Sequence, residues 1–535
     1  MTGILLPRQR PASSTRKQAI QLKPHQLSGH ARGAGLSEPG LIAALSIAPP
    51  FLDLGSFLLS LERSGRLHRV AKSVDKDWEL ACIARWALES TAEKDAYAIL
   101  FENVKGHSFP VVVNLFSTPE MYGSALGIEE NEILQHWAKS LAKPLSSTMV
   151  SFGPVQEIAH LASDADLLSI PAPIWTPGRD GGPYLSAASV ITKDPETGIQ
   201  NMGIYRMQIH DSRHAGLYFG GRMQHGAIHL RKYAERQQPM PIAAVIGAAP
   251  AVTFASAAKL PYGVDELSIA GALAGSSIEV VRTKTVDLLV PARAECVIEG
   301  LVHAGTSREE GPFGEYLGYV NGAAPAAVVE VTAITHRSAP VHHGFVQQMP
   351  PSDGHVVMEM GVLGPLWFTL TQKLKVKGIR NLAIARGSAG LSILVAQIEK
   401  SHVSEADRIG RLLAKFNSGL KFIYLVDEDI DIRDQDTLNW ALSFCVNLPQ
   451  DIEFVKGFSA ASSKDPELSS NDGQDLVPSP CSPAIGIVNA TSKGVARDMS
   501  LPCSSLMSKA KENWAETGLP PLTPRKRLEK LLERR

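Results

Sequence analysis

The feature that most constrains the fold is a central region in which short strand-like runs alternate with glycine, proline and asparagine turns. This pattern begins near residue 152 and contains one good helix, at residues 264–273. The strand-like runs are residues 187–192, 203–207, 242–246, 277–281, 294–300 and 326–332. Many short strands with few helices are typical of barrel-like β domains. We therefore predict a barrel-like β domain over residues 151–350.

Helical and strand patterns alternate on both sides of this region. Residues 53–62 and 79–88 have helical apolar spacing, and residues 96–101 and 111–116 have the apolar pattern of buried strands. We predict an N-terminal α/β domain at residues 49–150.

The chain after the central region again favours an α/β domain, at residues 351–535. Buried-type strands at residues 382–385, 393–398 and 422–426, with helices between them, predict βαβ units. Residues 459–483, rich in Ser, Pro and Asp, predict a long loop. The predicted fold class is therefore a mixed α/β, multidomain one, α+β in its overall arrangement.

Composition limits the function. Of 535 residues, 44% are hydrophobic and 20% charged, with a net charge of −1, so the chain lacks the basic excess of a nucleic-acid binder. No apolar run approaches the ~20 residues of a membrane span. The five cysteines are dispersed, without a C-x-x-C pair, which favours a reducing compartment and a cytoplasmic location.

The N-terminal segment, residues 1–48, leaves two interpretations open. Its first 37 residues contain no Asp or Glu but several Arg and Lys among Ser and Gln. A disordered tail is one interpretation, because the segment could bury little apolar surface. A mitochondrial transit peptide is the other, since such peptides are also poor in acidic residues.

Two carboxylates bracket a Gly-Pro-Phe-Gly turn, namely Glu310 and Glu315. Glycine permits close backbone approach and proline stiffens the turn, so both carboxylates can face one cavity. Neighbouring carboxylates in a half-buried site do not both ionise easily, and one becomes an acid near neutral pH. By itself, this pattern also fits an acidic surface turn.

A strand-like run earlier in the chain carries Asn201 and Arg206. Their odd spacing predicts that the two side chains point to opposite faces of a strand and serve different neighbours. One arginine could bridge two glutamates in a bidentate manner and tune their pKa values. An arginine in a strand is otherwise usually a surface residue.

An amide, an imidazole and a carboxylate form a possible metal-ligand set: Asn201, His225 and Glu266. These N and O donors suit Mn²⁺ or Mg²⁺ better than a structural Zn²⁺. Sequence spacing does not establish this set, because no two members lie within one helical turn of each other.

Six segments together resemble the signature blocks of the UbiD decarboxylase family, in the family's order. The resemblance extends from about residue 52 to the C-terminus. The segments are residues 153–157, 201–208, 224–225, 261–266, 310–319 and 426–431. It implies a split β-barrel flavin-binding domain in the centre and a C-terminal dimerisation domain with a terminal helix.

The resemblance also implies the roles of individual residues. Arg206, Glu310 and Glu315 match the family's catalytic network, with Glu315 as proton donor. Asn201, His225 and Glu266 match the ligands of a divalent metal, usually Mn²⁺, that holds the cofactor phosphate. Four more residues match cofactor contacts: Ser186, Gln224 and Ser256 with the flavin, and Lys400 with the phosphate. A K⁺ bound mainly by backbone carbonyls is also expected.

The implied activity is reversible, non-oxidative decarboxylation of an aromatic or α,β-unsaturated carboxylic acid through a covalent adduct with prenylated FMN. A flavin prenyltransferase would supply this cofactor, and the enzyme would be a homodimer or a multiple of one. Departures from the family pattern are the unmatched residues 1–48, Ser401-His402 after Lys400, and Asn489 in place of an aspartate. A carboxylase, or a subunit of one, and a flavin-binding assembly protein without turnover remain the alternatives.

Overall fold

The structure, a computed structural model, describes residues 49–416, 419–456, 484–493 and 500–522, together with 528, 531 and 532. The predicted tail or transit peptide at residues 1–48 and the whole predicted loop at residues 459–483 lie outside the described residues. No helix in the described ranges is long and apolar enough to cross a membrane.

The N-terminal part combines four helices with a small sheet. Its helices are α1 (Leu54–Arg63), α2 (Glu79–Ser90), α3 (Pro119–Leu126) and α4 (Ile133–Ala142), and its strands are β1 (Leu67–Val70), β2 (Ala98–Phe101) and β3 (Val111–Val113). Helix α1 begins where the Asp53 side chain accepts a hydrogen bond from the backbone N–H of Ser56, at 2.8 Å. Strand β1 pairs with β2 in parallel, and β2 pairs with β3 antiparallel.

The central part is built mainly of strands, as the sequence predicts. Its strands are β4 (Thr148–Met149), β5 (Ile158–Leu161), β6 (Tyr184–Leu185), β7 (Ser189–Lys193), β8 (Gln200–Ile204), β9 (Arg206–Ile209), β10 (His214–Tyr218), β11 (Met240–Ile246), β12 (Glu279–Arg282), β13 (Leu289–Pro291), β14 (Cys296–Glu310), β15 (Phe313–Gly314), β16 (Val320–Asn321), β17 (Ala324–His336) and β18 (His342–His343). Its helices are α5 (His225–Glu235), α6 (Pro250–Ala257) and α7 (Glu266–Ala274). Strand β18 joins the N-terminal sheet by pairing with β3, so the chain after the central sheet returns to the first part of the fold.

Nine of these strands form one sheet in the order β6-β9-β10-β17-β14-β11-β7-β8, with β5 paired to β17. Only Tyr205 separates β8, at one end of this order, from β9, which is next to the other end. The sheet must therefore curl until its two ends approach each other. The hydrogen-bonded path itself stays open, so the sheet has the curvature of a split barrel without a closed ring of pairings.

The C-terminal part is a second α/β unit. Its helices are α8 (Asp353–Phe368), α9 (Ala406–Leu413), α10 (Gln435–Phe444), α11 (Leu448–Asp451) and α12 (Ser504–Glu512), and its strands are β19 (Ile379–Ile384), β20 (Ile393–Ile398), β21 (Phe422–Asp427), β22 (Ile452–Lys456) and β23 (Ala484–Ala490). The strand order is β19-β20-β21-β23-β22. Strands β20 and β21 pair in parallel around helix α9, which agrees with the predicted βαβ unit. The mixed α/β, multidomain fold class is confirmed.

Helix α8 packs against helix α4 and so fixes the C-terminal part on the rest of the fold. At their contact, a Cβ atom on Gly364 would lie 2.5 Å from Cγ of Trp137, whose side chain is fully buried. Only glycine lets the indole approach the helix this closely. Helix α8 also lines the large cavity that contains most of the predicted site residues.

Candidate active site

A cavity of about 1020 Å³ lies between the curled central sheet, helices α6 and α7, and helix α8. Eight of the ten predicted site residues line it: Ser186, Asn201, Arg206, Gln224, His225, Ser256, Glu266 and Glu315. Glu310 is fully buried in contact with Arg206 and does not line the cavity, so the prediction that both carboxylates face it is wrong for Glu310. Residues that are up to 129 positions apart in the chain thus surround one space.

The guanidinium of Arg206 joins the two predicted catalytic glutamates. Its Nε and Nη2 donate to the two oxygens of Glu310, at 2.8 and 2.7 Å, and its Nη1 donates to Oε1 of Glu315. Glu310 has no exposed surface, and Glu315 is only 3% exposed. The sequence-based prediction of one arginine bridging two carboxylates matches this geometry, with Glu310 as the bidentate partner.

Two aromatic rings enclose the guanidinium of Arg206. Its carbon lies 4.2 Å from the centroid of Tyr218 and 4.7 Å from that of Phe313, within reach of cation–π attraction. Burial by itself would lower the pKa of Arg206. The attraction of Glu315 and Glu310 outweighs burial, so the pKa is raised and the guanidinium stays charged.

The Gly-Pro-Phe-Gly turn holds Glu315 where the sequence predicts. Gly311 adopts φ = +105°, and a Cβ atom there would lie 2.9 Å from Cα of Ala323. Both facts require glycine at this position. After the turn, Nδ2 of Asn321 donates to Oε1 of Glu315 at 3.2 Å, so this carboxylate oxygen has two donors on the protein side of the cavity.

Asp180 anchors the same turn, although it was not predicted from the sequence. Its Oδ1 accepts from the backbone N–H of Gly314, and its Oδ2 from that of Thr176, both at 2.7 Å. Burial raises the pKa of Asp180 to about 6, although these hydrogen bonds and Arg206 act in the opposite direction. No local pattern marks Asp180, because its partner Gly314 lies 134 residues further along the chain.

The three predicted metal ligands meet at the other end of the same wall. Oδ1 of Asn201 lies 3.0 Å from Nδ1 of His225, and Oε2 of Glu266 accepts from the backbone N–H of Met202 at 2.9 Å. His225 and Glu266 are the first residues of α5 and α7. Both helices therefore direct the positive ends of their dipoles toward this end of the cavity, which suits a phosphate.

This donor set fits a hard divalent cation. An amide oxygen, an imidazole nitrogen and a carboxylate are ligands of Mn²⁺ and Mg²⁺. Two ligand atoms on adjacent octahedral positions, each ~2.1 Å from a metal, are ~3 Å apart, close to the separation of Asn201 and His225. In the described part of the chain, no cluster of three His, Cys, Asp or Glu side chains could hold a metal ion.

Asn201 and Arg206 both line the cavity, as does every residue between them, so the predicted orientation of their side chains to opposite faces stays a prediction. Strand pairing is interrupted at Tyr205, and the simple alternation of a continuous strand does not carry through that residue. Their neighbours do differ as predicted. Asn201 contacts His225, whereas Arg206 contacts the two glutamates.

The predicted flavin contacts lie on the cavity wall, but protein groups already hold two of them. The Ser186 hydroxyl donates to the carbonyl of Phe345 at 2.8 Å and accepts from the N–H of the same residue at 2.9 Å. The Ser256 hydroxyl lies 2.7 Å from that of Ser189. Gln224 precedes helix α5 directly. Contacts of these residues with a flavin stay a prediction.

Lys400 is exposed in the turn after strand β20 and is not among the residues that line the cavity. Its role in phosphate binding stays a prediction.

Lys259 does line the cavity, and its charge adds to burial in lowering the pKa of His225. Lys259 was missed at the sequence level, although it stands two residues before the block at residues 261–266.

Comparisons with known proteins agree with this fold. Three models of 3-octaprenyl-4-hydroxybenzoate carboxy-lyase (UbiD) match the chain: the N-terminal domain at residues 58–141, the Rift-related domain at 148–350 and the C-terminal domain at 361–474. An uncharacterised protein from the cooM 5′ region of Rhodospirillum rubrum is 34% identical over 410 residues, covering 73% of this chain and 83% of the relative. The chain belongs to the UbiD family of carboxy-lyases.

Solved structures of UbiD-class enzymes have the same architecture. An evolved dimeric form of HmfF from Pelotomaculum thermopropionicum, in complex with prFMN, is 32% identical with a TM-score of 0.74, over 85% of this chain and 98% of that one. HmfF in complex with FMN matches with a TM-score of 0.75 at the same identity and coverage. Vanillic acid decarboxylase from Sedimentibacter hydroxybenzoicus is 25% identical with a TM-score of 0.74, over 87% of this chain and 99% of that one. Both HmfF complexes contain a flavin.

Proposed function

We propose that this protein catalyses reversible, non-oxidative decarboxylation of an aromatic or α,β-unsaturated carboxylic acid with prenylated FMN as cofactor. One observation carries the proposal. Arg206 holds two buried glutamates, one of which, Glu315, faces a cavity large enough for a flavin and a substrate. The prFMN complex of HmfF, a relative of similar fold, supports the choice of cofactor.

Loss of CO₂ from an sp² carbon leaves an electron pair in the plane of the ring or double bond. No side chain can accept that pair, so a cofactor must supply the electron sink while the protein positions the reactants and moves protons. The prenylated flavin supplies this sink when bound.

The residues of this chain would position the reacting groups and transfer the proton. Glu315 delivers a proton from its carboxyl oxygen to the carbon that has lost CO₂, since it is the glutamate on the cavity wall. Arg206 fixes the position of Glu315, and Glu310 fixes Arg206 from behind through two hydrogen bonds. The rings of Tyr218 and Phe313 lie against the guanidinium and shield part of it from water.

Asn201, His225 and Glu266 would hold the divalent metal, which we take to be Mn²⁺, next to the cofactor phosphate. The metal would supply positive charge to the phosphate, in addition to the N-termini of α5 and α7. Lys259 is a further cation on this part of the wall. The K⁺ implied by the family likeness belongs to the same proposal.

The same residues would serve a carboxylase, because a catalyst accelerates both directions. Release of CO₂ and exchange of labelled CO₂ into the substrate at high bicarbonate distinguish the favoured direction. A flavin-binding protein without turnover is a weaker candidate, since it would not need the bridged pair of glutamates at the cavity wall. Binding of plain FMN with oxidation of NADH would favour that candidate.

Replacement of Glu315 by Gln tests the assigned proton donor. Glutamine keeps the size of the side chain but carries no acidic proton, so we expect decarboxylation to slow by about 10²–10⁴-fold. The protein is co-expressed with a flavin prenyltransferase, which we propose as the cofactor supplier, and CO₂ release is measured over a panel of aromatic acids. Glu309→Gln, at an exposed neighbouring position, is the matched control. A Glu315→Gln variant that works at the wild-type rate would exclude this role.

Replacement of Glu266 by Ala tests the metal site. We expect loss of the metal together with the cofactor, because the phosphate is then held mainly by cationic side chains and helix N-termini. Metal content and flavin absorbance are measured after desalting. Glu235→Ala, at the exposed C-terminal end of α5, is the control that should keep both. Full flavin occupancy in Glu266→Ala would contradict the assignment.

We also propose that the enzyme is a homodimer, or a multiple of one, that pairs through residues after about 350. Leu528, Leu531 and Leu532 are helical and half-buried, at the i, i+3, i+4 spacing of an apolar stripe. A single such stripe is marginal in water unless it packs against a partner.

Truncation after Thr517 removes that stripe and should weaken the dimer. Light scattering at low micromolar concentration gives the mass of the full-length and shortened proteins. Full-length protein with Leu528, Leu531 and Leu532 replaced by Ser separates the effect of the apolar side chains from that of chain length. Equal dimer masses for all three proteins would exclude this role of the helix.

A further inference from the structure

Behind the three metal-ligand candidates lies a buried carboxylate that no sequence motif marks. Asp194 is 1% exposed and lies in the turn between β7 and β8. Its Oδ1 accepts from the N–H of Glu196 at 2.9 Å, and its backbone carbonyl accepts from the N–H of Gly198 at 2.9 Å. Asp194 therefore shapes the hairpin whose second strand begins one residue before Asn201.

The other carboxylate oxygen of Asp194 contacts the two segments that carry His225 and Glu266. Its Oδ2 accepts from Nζ of Lys232 at 2.8 Å and from the hydroxyl of Tyr262 at 2.6 Å. Lys232 lies on α5, seven residues after His225, on the same helical face. Tyr262 lies four residues before Glu266 in the loop that leads into α7.

The ring of Tyr262 rests on the imidazole of His225. The two ring centroids are 5.2 Å apart at an interplanar angle of 88°, an edge-to-face contact. The same ring packs at 5.7 Å against His229, one turn further along α5, whose Nδ1 lies 2.8 Å from the Thr192 hydroxyl. The hydroxyl end of Tyr262 is thus fixed by Asp194, and its ring limits the rotation of His225.

We propose that Asp194 and Tyr262 are positioning residues for the metal that holds the cofactor phosphate. One carboxylate ties together the hairpin of Asn201, the helix of His225 and the loop before Glu266, and the tyrosine ring sets the plane of His225. The inference rests on the proposed metal site. Positioning groups behind metal ligands typically change metal affinity 10–100-fold when removed.

The charge state of Asp194 is consistent with this role. Burial would raise the pKa of this carboxyl, but the hydrogen bonds from Lys232 and Tyr262 outweigh burial and hold the pKa well below its usual range. Lys232 also pairs with Glu196 at 2.7 Å, and that carboxylate is 53% exposed. Glu196 therefore offers a matched control, since it shares the lysine but neither the burial nor the contact with Tyr262.

The test is titration of MnCl₂ into purified protein with FMN, followed by flavin fluorescence and by the electron paramagnetic resonance signal of free Mn²⁺. We expect the Kd for Mn²⁺ to rise by about 10–100-fold in Asp194→Asn and by several-fold in Tyr262→Phe, which keeps the ring. Glu196→Gln should stay within about twofold of wild type. Saturating Mn²⁺ should restore FMN binding in both variants, which a general folding defect would not allow.

The outcomes separate this inference from the metal site on which it rests. Wild-type protein that binds FMN without any dependence on Mn²⁺ would overturn the metal assignment and the inference together. Wild-type protein that depends on Mn²⁺, with the same Kd for Mn²⁺ in Tyr262→Phe and Asp194→Asn, would overturn the inference alone. Thermal unfolding of each variant is recorded alongside, and Tyr262→Phe decides the question if Asp194→Asn does not fold.

Discussion

The interaction on which the site depends is the bridge that Arg206 forms between two buried carboxylates. One guanidinium faces two carboxylates with little solvent access, so removal of Arg206 would leave buried carboxylates without their cation, at a cost of roughly 3–5 kcal/mol. Glu310 takes two hydrogen bonds from the guanidinium, whereas Glu315 takes one and also accepts from Asn321. Because Glu310 accepts two hydrogen bonds from Arg206, we assign it the role of holding the guanidinium in place, whereas Glu315 faces the cavity.

The topology explains how the bridge and the metal-ligand candidates come to share one wall. Strands β8 and β9 are consecutive in the chain, yet they lie at or near opposite ends of the sheet order, and Tyr205 alone connects them. The segment from Asn201 to Arg206 therefore crosses the gap of the curled sheet. In the proposed function, it carries a residue for the phosphate end of a bound flavin and a residue for the reacting end. Because the connection is so short, the distance between Asn201 and Arg206 is nearly constant.

The sequence predicted those parts of the site that are marked by local chemistry. The turn between Glu310 and Glu315, the bridging role of Arg206 and the gathering of Asn201, His225 and Glu266 follow from residue types together with the family likeness. Asp180, Asp194 and Tyr262 were not predicted, because their roles depend on partners 134 and 68 residues away. The strand order could not be predicted either, because strands that pair in the sheet lie far apart in the chain. Lys400 is the converse case, because the family likeness alone suggests it and it is not among the residues that line the cavity.

The central claim, that Arg206 and Glu310 act as one unit on Glu315, is tested most directly by a double-mutant cycle. The kcat/KM for decarboxylation is measured for wild type, Arg206→Lys, Glu310→Gln and the double variant, all loaded with cofactor. If the two residues act as a unit, the double variant should lose hardly more activity than the more impaired single variant. If the two losses multiply instead, Arg206 and Glu310 act independently of each other, which would contradict the claim.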